Sequence, residues 1–397
     1  MKYVDIIGVG MGADTLTAEA ACALAQADLW LGAGSVLAQF APADKPWQSG
    51  YTPQAVAAAI EECPATRFAV LVSGDSGFFS AAAGISAALA DDMRYTLRVL
   101  PGISSLSYLF SRLCRPWQEV AVISRHGRQG NLVDTVRRNR LTFVLSGNLA
   151  VEGAALAAAG FGGLQVWLGE ELGRPGERIL VTTAAALAAS GGGGQAVFVV
   201  ENPDFDSRTR VGITDSAFQR SHVPMTKAEI RAVVMSKLAL APQAICADIG
   251  AGSGAVTVEM ALAAYAGHVY AVDQDPEAIR LVEANCRAFH LGNVEAVLGS
   301  APAALADLPP LDAAFIGGSS GALPAIFSLL RSRQPRLRLV VTAVTLETLT
   351  AAQAAFAEQG IVAEIVQISV ARAEAAGSLH MLRPLSPVFI LSGGGDE

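Results

Sequence analysis

The chain has 397 residues, 52% of them hydrophobic, and a formal charge of −8. That length exceeds one ordinary domain and that apolar content fills complete cores, so two domains are expected and wholesale disorder is excluded. The acidic excess is evenly shared, 14 Lys+Arg against 18 Asp+Glu in residues 1–205 and the same numbers in 206–397. Neither half has the basic excess of a phosphate-backbone binder, so no nucleic-acid partner is expected.

Residues 1–205 alternate β-rich runs with Ala-rich helical ones. "YVDIIGVG", "ADLWLG", "RFAVLVSGD" and "YTLRVLPG" read as strands, with "AEAACALAQA", "PQAVAAAIEEC" and "SAAAGISAALA" as helices between them. This predicts an α/β unit with a largely parallel sheet. The alternation resumes near Trp117 with "EVAVISRHG", "LTFVLSGN", "LQVWLGEELG" and "QAVFVVEN", so two lobes are expected with a boundary near 117. The "SGGGG" run before the last of these reads as a tight loop. Periodicity fails over residues 206–223, which read as a polar linker or strap. From 224 to 397 a helix, "TKAEIRAVVMSKLAL", opens a second β-α-β series that predicts a doubly wound domain, closed by two further strands, "VAEIVQISVA" and "SPVFILSG".

Cys22, Cys63, Cys114, Cys246 and Cys286 are odd in number and scattered, so neither a disulfide framework nor a metal site is indicated. The N-terminus enters a strand carrying Asp5 and does not resemble a signal peptide. Asn148, Glu152, Gln165 and several glycines interrupt the most apolar long window, Val144 to Gly169, which argues against a membrane span. A cytoplasmic enzyme or binding protein is expected.

Two glycine loops compete as cofactor sites. The first, "IIGVGMGADTLT" (Ile6 to Thr17), fits G-x-G-x-x-A after a strand and approaches the dinucleotide fingerprint. A dinucleotide fold also wants an acidic residue ending its second strand, and "ADLWLGAGS" has Asp28 only at its start. The second, "ADIGAGSGAV", ends a strand at Asp248, turns through Gly250, Gly252 and Gly254, and is followed by a strand ending in Asp273. Asp273 is placed to bind both ribose hydroxyls. A carboxylate at the turn suits a cationic amino-acid group and opposes a pyrophosphate, which favours S-adenosylmethionine; NAD and a purely structural turn stay open. "LGSAP" (Leu298 to Pro302) follows the third strand, where an adenine edge is read, and reads equally as a plain turn. After strand four stands "FIGGSS" (Phe315 to Ser320) in place of an N/D-P-P-aromatic motif, which suits a bulky, flat, already nucleophilic substrate.

In motif order the chain resembles the bifunctional precorrin-6Y C5,15-methyltransferase (decarboxylating) family of the cobalamin pathway. "VGVGMG", "SGDSGFFS", "LPGISSLSYLFSRL", "ISRHGR" and "EELGRPGE" resemble the tetrapyrrole methylases. "MTKAEIRA", "ADIGAGSGAVTVEMA", "AVDQDPEAI", "DAAFIGG" and "AVTLET" resemble the C15-methylating, decarboxylating partner. The resemblance implies an α/β chain with an N-terminal two-lobed tetrapyrrole methylase fold and a C-terminal doubly wound, Rossmann-like S-adenosylmethionine methyltransferase fold. It implies one cofactor molecule per domain, methylation of a precorrin macrocycle at C5 by the first, and C15 methylation with loss of the ring C acetate carboxyl by the second. The cofactor contacts it implies are Met11, Ser73, Gly74, Asp75, Phe78, Ser104, Ser105 and Ser146 in the first half. In the second they are Thr226, Asp248, Gly250, Gly252, Ser253, Gly254, Asp273, Gln274, Ser300 and Ala301. Two positions depart from the family pattern: Met11 and Ser76 each replace a usual proline.

A polycarboxylate substrate suits arginine. Arg125, His126 and Arg128 directly follow a strand and are expected to contact substrate, while Arg137, Arg138 and Arg140 read as a solvated helix face. Lys227 and Arg231, one helical turn apart, read as facing the second site or as a solvated helix start. "RSRQPRLR" reads as the surface end of a helix, His380 and Arg383 as structural, and Glu259 as packing and solvation. No acid for the decarboxylation is identifiable. Both component families favour homo-oligomers, which is the expectation here. Competing readings are an RNA-directed methyltransferase pair, and one active domain fused to a non-catalytic binding module.

Overall fold

The structure, a computed structural model, describes residues 1–41, 45–127, 130–189, 195–208 and 211–395. Arg128 and the Ser190 to Gly194 glycine run therefore lie outside the described residues. The chain divides into two compact units. One comprises Met1–Gln129, Leu141–Ala150 and Leu164–Glu201; the other comprises Gly130–Arg140, Val151–Gly163 and Asn202–Glu397.

The first unit opens with a parallel sheet of β1 (Lys2–Gly8), β2 (Leu29–Gly32), β3 (Trp47–Ser49), β4 (Arg67–Val72) and β5 (Tyr95–Leu100), in the order β3-β2-β4-β1-β5. β1 is apolar on both faces, as a sheet covered by helices requires. Val4 and Ile6 enter one core with Phe68, Val70 and Ile85, while Ile7 and Val9 enter the other with Leu24, Trp30 and Leu37. Helix Ser105–Arg112, capped by the Ser104 hydroxyl, sends Leu106, Leu109 and Phe110 into the core of the second lobe.

That lobe holds β6 (Ala121–Ser124), β7 (Leu141–Leu145), β8 (Gln165–Glu170), β9 (Arg178–Thr183) and β10 (Ala196–Glu201), in the order β6-β7-β10-β8-β9. Of its ladders β6·β7 is parallel and the other three are antiparallel. β9 was concealed in the sequence by the Gly-Arg-Pro-Gly turn that precedes it.

The second unit is built on seven strands: β11 (Ile245–Ile249), β12 (His268–Asp273), β13 (Val294–Leu298), β14 (Ala313–Ile316), β15 (Arg338–Ala343), β16 (Glu364–Ile368) and, beyond the hairpin β17 (Ala371–Ala376)–β18 (Leu379–Pro384), β19 (Val388–Gly393). The order is β13-β12-β11-β14-β15-β19-β16, with β19 antiparallel to both neighbours. The two expected closing strands do pair, and the exposed β17–β18 hairpin between them, carrying His380 and Arg383, is additional. Residues 211–223 are folded onto this unit, with Ile213, Phe218 and Val223 buried.

Candidate functional site

In the second unit the strand order reverses between β11 and β14, the point at which open α/β sheets bind ligands. A cleft of about 320 Å³ lies there. Its floor is the loop from β11 to helix Ala255–Ala263, where Gly250, Gly252 and Gly254 take φ of +73°, +55° and +76°. A Cβ on Gly250 would stand 2.6 Å from the Gly318 amide nitrogen, and one on Gly252 2.6 Å from the Pro224 carbonyl oxygen. The loop is thus wedged between the β14 loop and the strap, and side chains are excluded by the protein itself.

Thr226, Gly250, Gly252, Ser253, Asp273, Gln274, Ser300 and Ala301 all line this cleft, joined by Phe315 and the Gly317 to Ser320 loop. Asp273 ends β12 with both oxygens in use: Oδ2 accepts the Gly252 N–H and Oδ1 the Asp275 N–H, each at 2.9 Å. Asp248 and Gly254 are not lining residues. Gly254 caps the following helix against Val282, and Asp248 is fully buried, its Oδ2 accepting the Thr257 hydroxyl at 2.5 Å. Among the described residues Asp248 Oδ1 and the buried Ser253 hydroxyl have no hydrogen-bond partner. Burial pushes the Asp248 carboxyl up to about 7, with the Asp273 charge adding and the Thr257 hydroxyl opposing. Val223 lines the cleft from the end of the strap, a contribution that the strap's polar composition hid, and Pro224 lines it from the next position.

Arg231 neither faces this cleft nor is solvated. It is fully buried, donating to Glu259 at 2.9 Å, to Asp215 at 3.0 Å, and to the Thr226 and Ile213 carbonyls, beneath the Phe218 ring. Glu259, equally buried, accepts the Gly212 and Ile213 N–H groups as well, so its role exceeds packing and solvation. Asn285 ties the same strap to the glycine loop: it accepts the Gln219 N–H and donates to the Gln219 and Ser253 carbonyls. Arg137, expected on a solvated face, is buried and paired with Asp134 at 2.6 Å.

In the first unit a cleft of about 300 Å³ is lined by Met11, Ser73, Gly74, Asp75, Phe78, Ser105, Ser146 and His126. Phe79, Leu145, Leu172, Gln195 and Val197 join them, with Gly169 on β8; Gly169 and the β10 residue Val197 arrive through antiparallel pairing that local motifs do not reveal. Ser104 and Arg125 are not lining residues. Ser104 Oγ accepts the Ser107 N–H as a helix cap, and the Arg125 N–H extends the β6·β7 pairing to Leu145.

The first glycine loop spends its amides internally. The Gly10 N–H pairs with the Gly74 carbonyl, and the Met11 and Gly12 N–H groups both donate to Thr15 Oγ1, at 2.8 and 3.1 Å. These three amides are therefore not free to cradle a phosphate. The Met11 amide is a working donor that a proline would lack. Gly173, at φ +72°, packs on this loop so closely that its Cβ would fall 1.7 Å from the Met11 carbonyl oxygen. Asp75 braces the neighbouring turns, accepting the Gly77 N–H at 2.8 Å and the Gly102 N–H at 3.1 Å.

Residues 4–188 match the family described as Tetrapyrrole (Corrin/Porphyrin) Methylases, and residues 216–393 match the Precorrin methyltransferase domain. The chain is 31% identical over 334 residues to a precorrin-6Y C(5,15)-methyltransferase [decarboxylating] of Sinorhizobium sp, covering 80% of this chain and 78% of the relative. The chain belongs to the precorrin-6Y C5,15-methyltransferase (decarboxylating) family.

A probable cobalt-precorrin-6B C(15)-methyltransferase (decarboxylating) of Pyrobaculum calidifontis is 43% identical over 184 residues, 46% of this chain and 94% of the relative. A crystal structure of a precorrin-6Y C5,15-methyltransferase from Geobacter metallireducens is similar at 34% identity and TM-score 0.45, covering 46% of this chain and 97% of that one. Membership in this methyltransferase family implies use of S-adenosylmethionine. The residues of the second-unit cleft fit such a molecule. It carries a ribose diol, for which Asp273 stands at the end of β12, and polar groups able to meet the unpartnered Ser253 hydroxyl.

Proposed function

We propose that the chain carries two S-adenosylmethionine sites, one per cleft, and converts precorrin-6B to precorrin-8 in cobalamin biosynthesis. On this reading residues 1–205 methylate C5 of the macrocycle, and residues 224–397 methylate C15 and remove the carboxyl of the ring C acetate. The observation that carries the reading is the pair of separate clefts, about 300 and 320 Å³, each at strand ends in a region matching one half of the family. S-adenosylmethionine supplies an electrophilic methyl group when bound. The meso carbons of a reduced tetrapyrrole are enamine-like, so the protein has to align carbon and methyl and exclude water. The small, neutral Gly317 to Ser320 loop leaves room for a flat ring over the second cleft. The cofactor residues of both halves retain the assignments made above, with Ser104, Asp248 and Gly254 acting from behind the lining. Arg125 and His126, at the end of β6, are assigned to the substrate's carboxylates, with Arg128 beside them in sequence. Among the described residues no helix is long and apolar enough to cross a membrane. A cytoplasmic site of action suits a biosynthetic enzyme. The exposed hairpin with Leu379, Met381 and Leu382 on its surface supports a homo-oligomer.

Titration of the full chain with S-adenosylhomocysteine in a calorimeter is expected to give two equivalents. The Asp273→Ala variant is expected to give one, and to yield a singly methylated precorrin without carbon dioxide release. One equivalent in the unaltered chain would reduce one unit to a binding module. No mass change in the precorrin would end the functional reading.

A further inference from the structure

Glu177, in the turn from β8 to β9, stands behind the lining of the first-unit cleft and grips segments that supply it. Its Oε2 accepts the Gly173 N–H at 2.6 Å and the Tyr108 hydroxyl at 2.7 Å. The Arg112 guanidinium lies 3.6 Å from Oε1 and over the Tyr108 ring at 4.9 Å, and donates to the Tyr108 hydroxyl at 2.8 Å. Burial opposes the Glu177 charge, but the Gly173 N–H, the Tyr108 hydroxyl and the Arg112 charge outweigh it and hold the carboxyl below its ordinary value. Glu177 is therefore an ionised acceptor at neutral pH, and its hydrogen bonds are of the stronger, charge-assisted kind.

The groups it grips belong to three separate cleft walls. Gly173 follows the lining residue Leu172 and packs on the Met11 loop; a Cβ on Gly12 would in turn stand 2.4 Å from the Gly173 carbonyl oxygen. Met11, itself a lining residue, comes from the loop after β1 in the first lobe, whereas Leu172 and Gly173 belong to the second. Tyr108 stands on helix Ser105–Arg112, whose first residue also lines the cleft. Between Gly173 and Glu177 the backbone is stiffened by two hydrogen bonds of 3.0 Å, Arg174 N–H to the Glu171 carbonyl and Glu177 N–H to the Arg174 carbonyl. A displacement at the carboxylate is thus passed to the Leu172 turn and, by direct packing, to the Met11 loop.

We propose that Glu177 is a positioning residue for C5 methylation, its carboxylate setting the spacing of the Met11 loop, the Leu172 turn and the Ser105 end of the helix. This rests on the reading of the first unit as a C5 methylase that uses S-adenosylmethionine. Methyl transfer needs donor and acceptor carbon in line, and a wall displaced by about 1 Å costs rate even where the fold persists.

The test uses the full chain with reduced precorrin, C5 methylation being followed by mass at a temperature where every variant is folded. Glu177→Ala is expected to raise the cofactor KM of C5 methylation and to lower its kcat, each about tenfold. Tyr108→Phe, which keeps the ring and removes one donor, is expected to shift both about threefold. Glu177→Gln, which still offers an oxygen to the Gly173 N–H, is expected to recover most of the loss. Binding of S-adenosylhomocysteine to the second unit is expected to stay at its original affinity in all three. Unchanged KM and kcat in folded Glu177→Ala and Tyr108→Phe would overturn the positioning role, even if their melting temperatures fell. A folded Glu177→Gln no better than Glu177→Ala would overturn it as well. An unaltered chain that leaves C5 unmethylated would instead overturn the functional reading beneath it.

Discussion

At the level of single residues, Asp248 makes the sharpest physical statement. Its carboxyl is raised to about 7 chiefly by burial, against an unfolded value of about 3.9. Below about pH 4 both states hold the proton, so the site adds no pH dependence there. As pH rises from about 4 towards 7 the unfolded chain releases the proton and the folded chain keeps it, so stability falls through that window. Asp248→Asn, which still accepts from Thr257, is expected to flatten this fall by on the order of a few kcal/mol between pH 5 and 7. Urea midpoints at the two pH values check it, and equal slopes for both proteins would refute it. The sequence made Asp248 legible as part of a turn but not its depth. Burial depends on Thr257 and on the sheet's far neighbours, which spacing does not report.

Among the elements, the strap shows how an apparently structureless segment becomes a wall. Its polar residues looked like solvated linker because their partners are distant: Asp215 and Glu259 meet at Arg231 across 16 and 28 residues. A buried cluster of this kind contributes order more than net stability, yet removing one member leaves charges stranded. Arg231→Met is expected to destabilise the second unit by about 3–5 kcal/mol. Hydrogen exchange over residues 211–231 should rise first, and unchanged protection there would count against the strap being anchored at this point. The βα turns at Gly250, Asp273 and Ser300 were legible because each is written in adjacent residues. The cleft walls from β8 and β10, and the β17–β18 hairpin, were not, since antiparallel pairing joins segments with no shared motif. Helix Ser105–Arg112 is intermediate: its capping serine is plain in the sequence, but its delivery into the next lobe's core is not.

Across the whole molecule, the two units are not consecutive stretches of chain. Residues 130–140 and 151–163 are encoded among the strands of the first unit yet belong to the second. Asn131 donates to the Tyr265 carbonyl at 2.8 Å, the Arg138 guanidinium lies over the Tyr265 ring, and Phe161 stacks on His290 at 4.4 Å. A chain cut at residue 205 is therefore expected to keep its sheets while exposing the faces of those two helices. Binding of a hydrophobic dye and early elution on size exclusion would register this; a monomeric, dye-silent fragment would contradict it. The insertion of β19 between β15 and β16 has a related consequence in time. On the ribosome β16 emerges some 20 residues ahead of the strand it needs. The helices at 130–140 and 151–163 wait far longer for the surfaces that cover them. Translation thus completes the first unit's strands well before the second can close, and the nascent chain spends that interval with its early helices uncovered, within reach of whatever chaperones attend the exit tunnel.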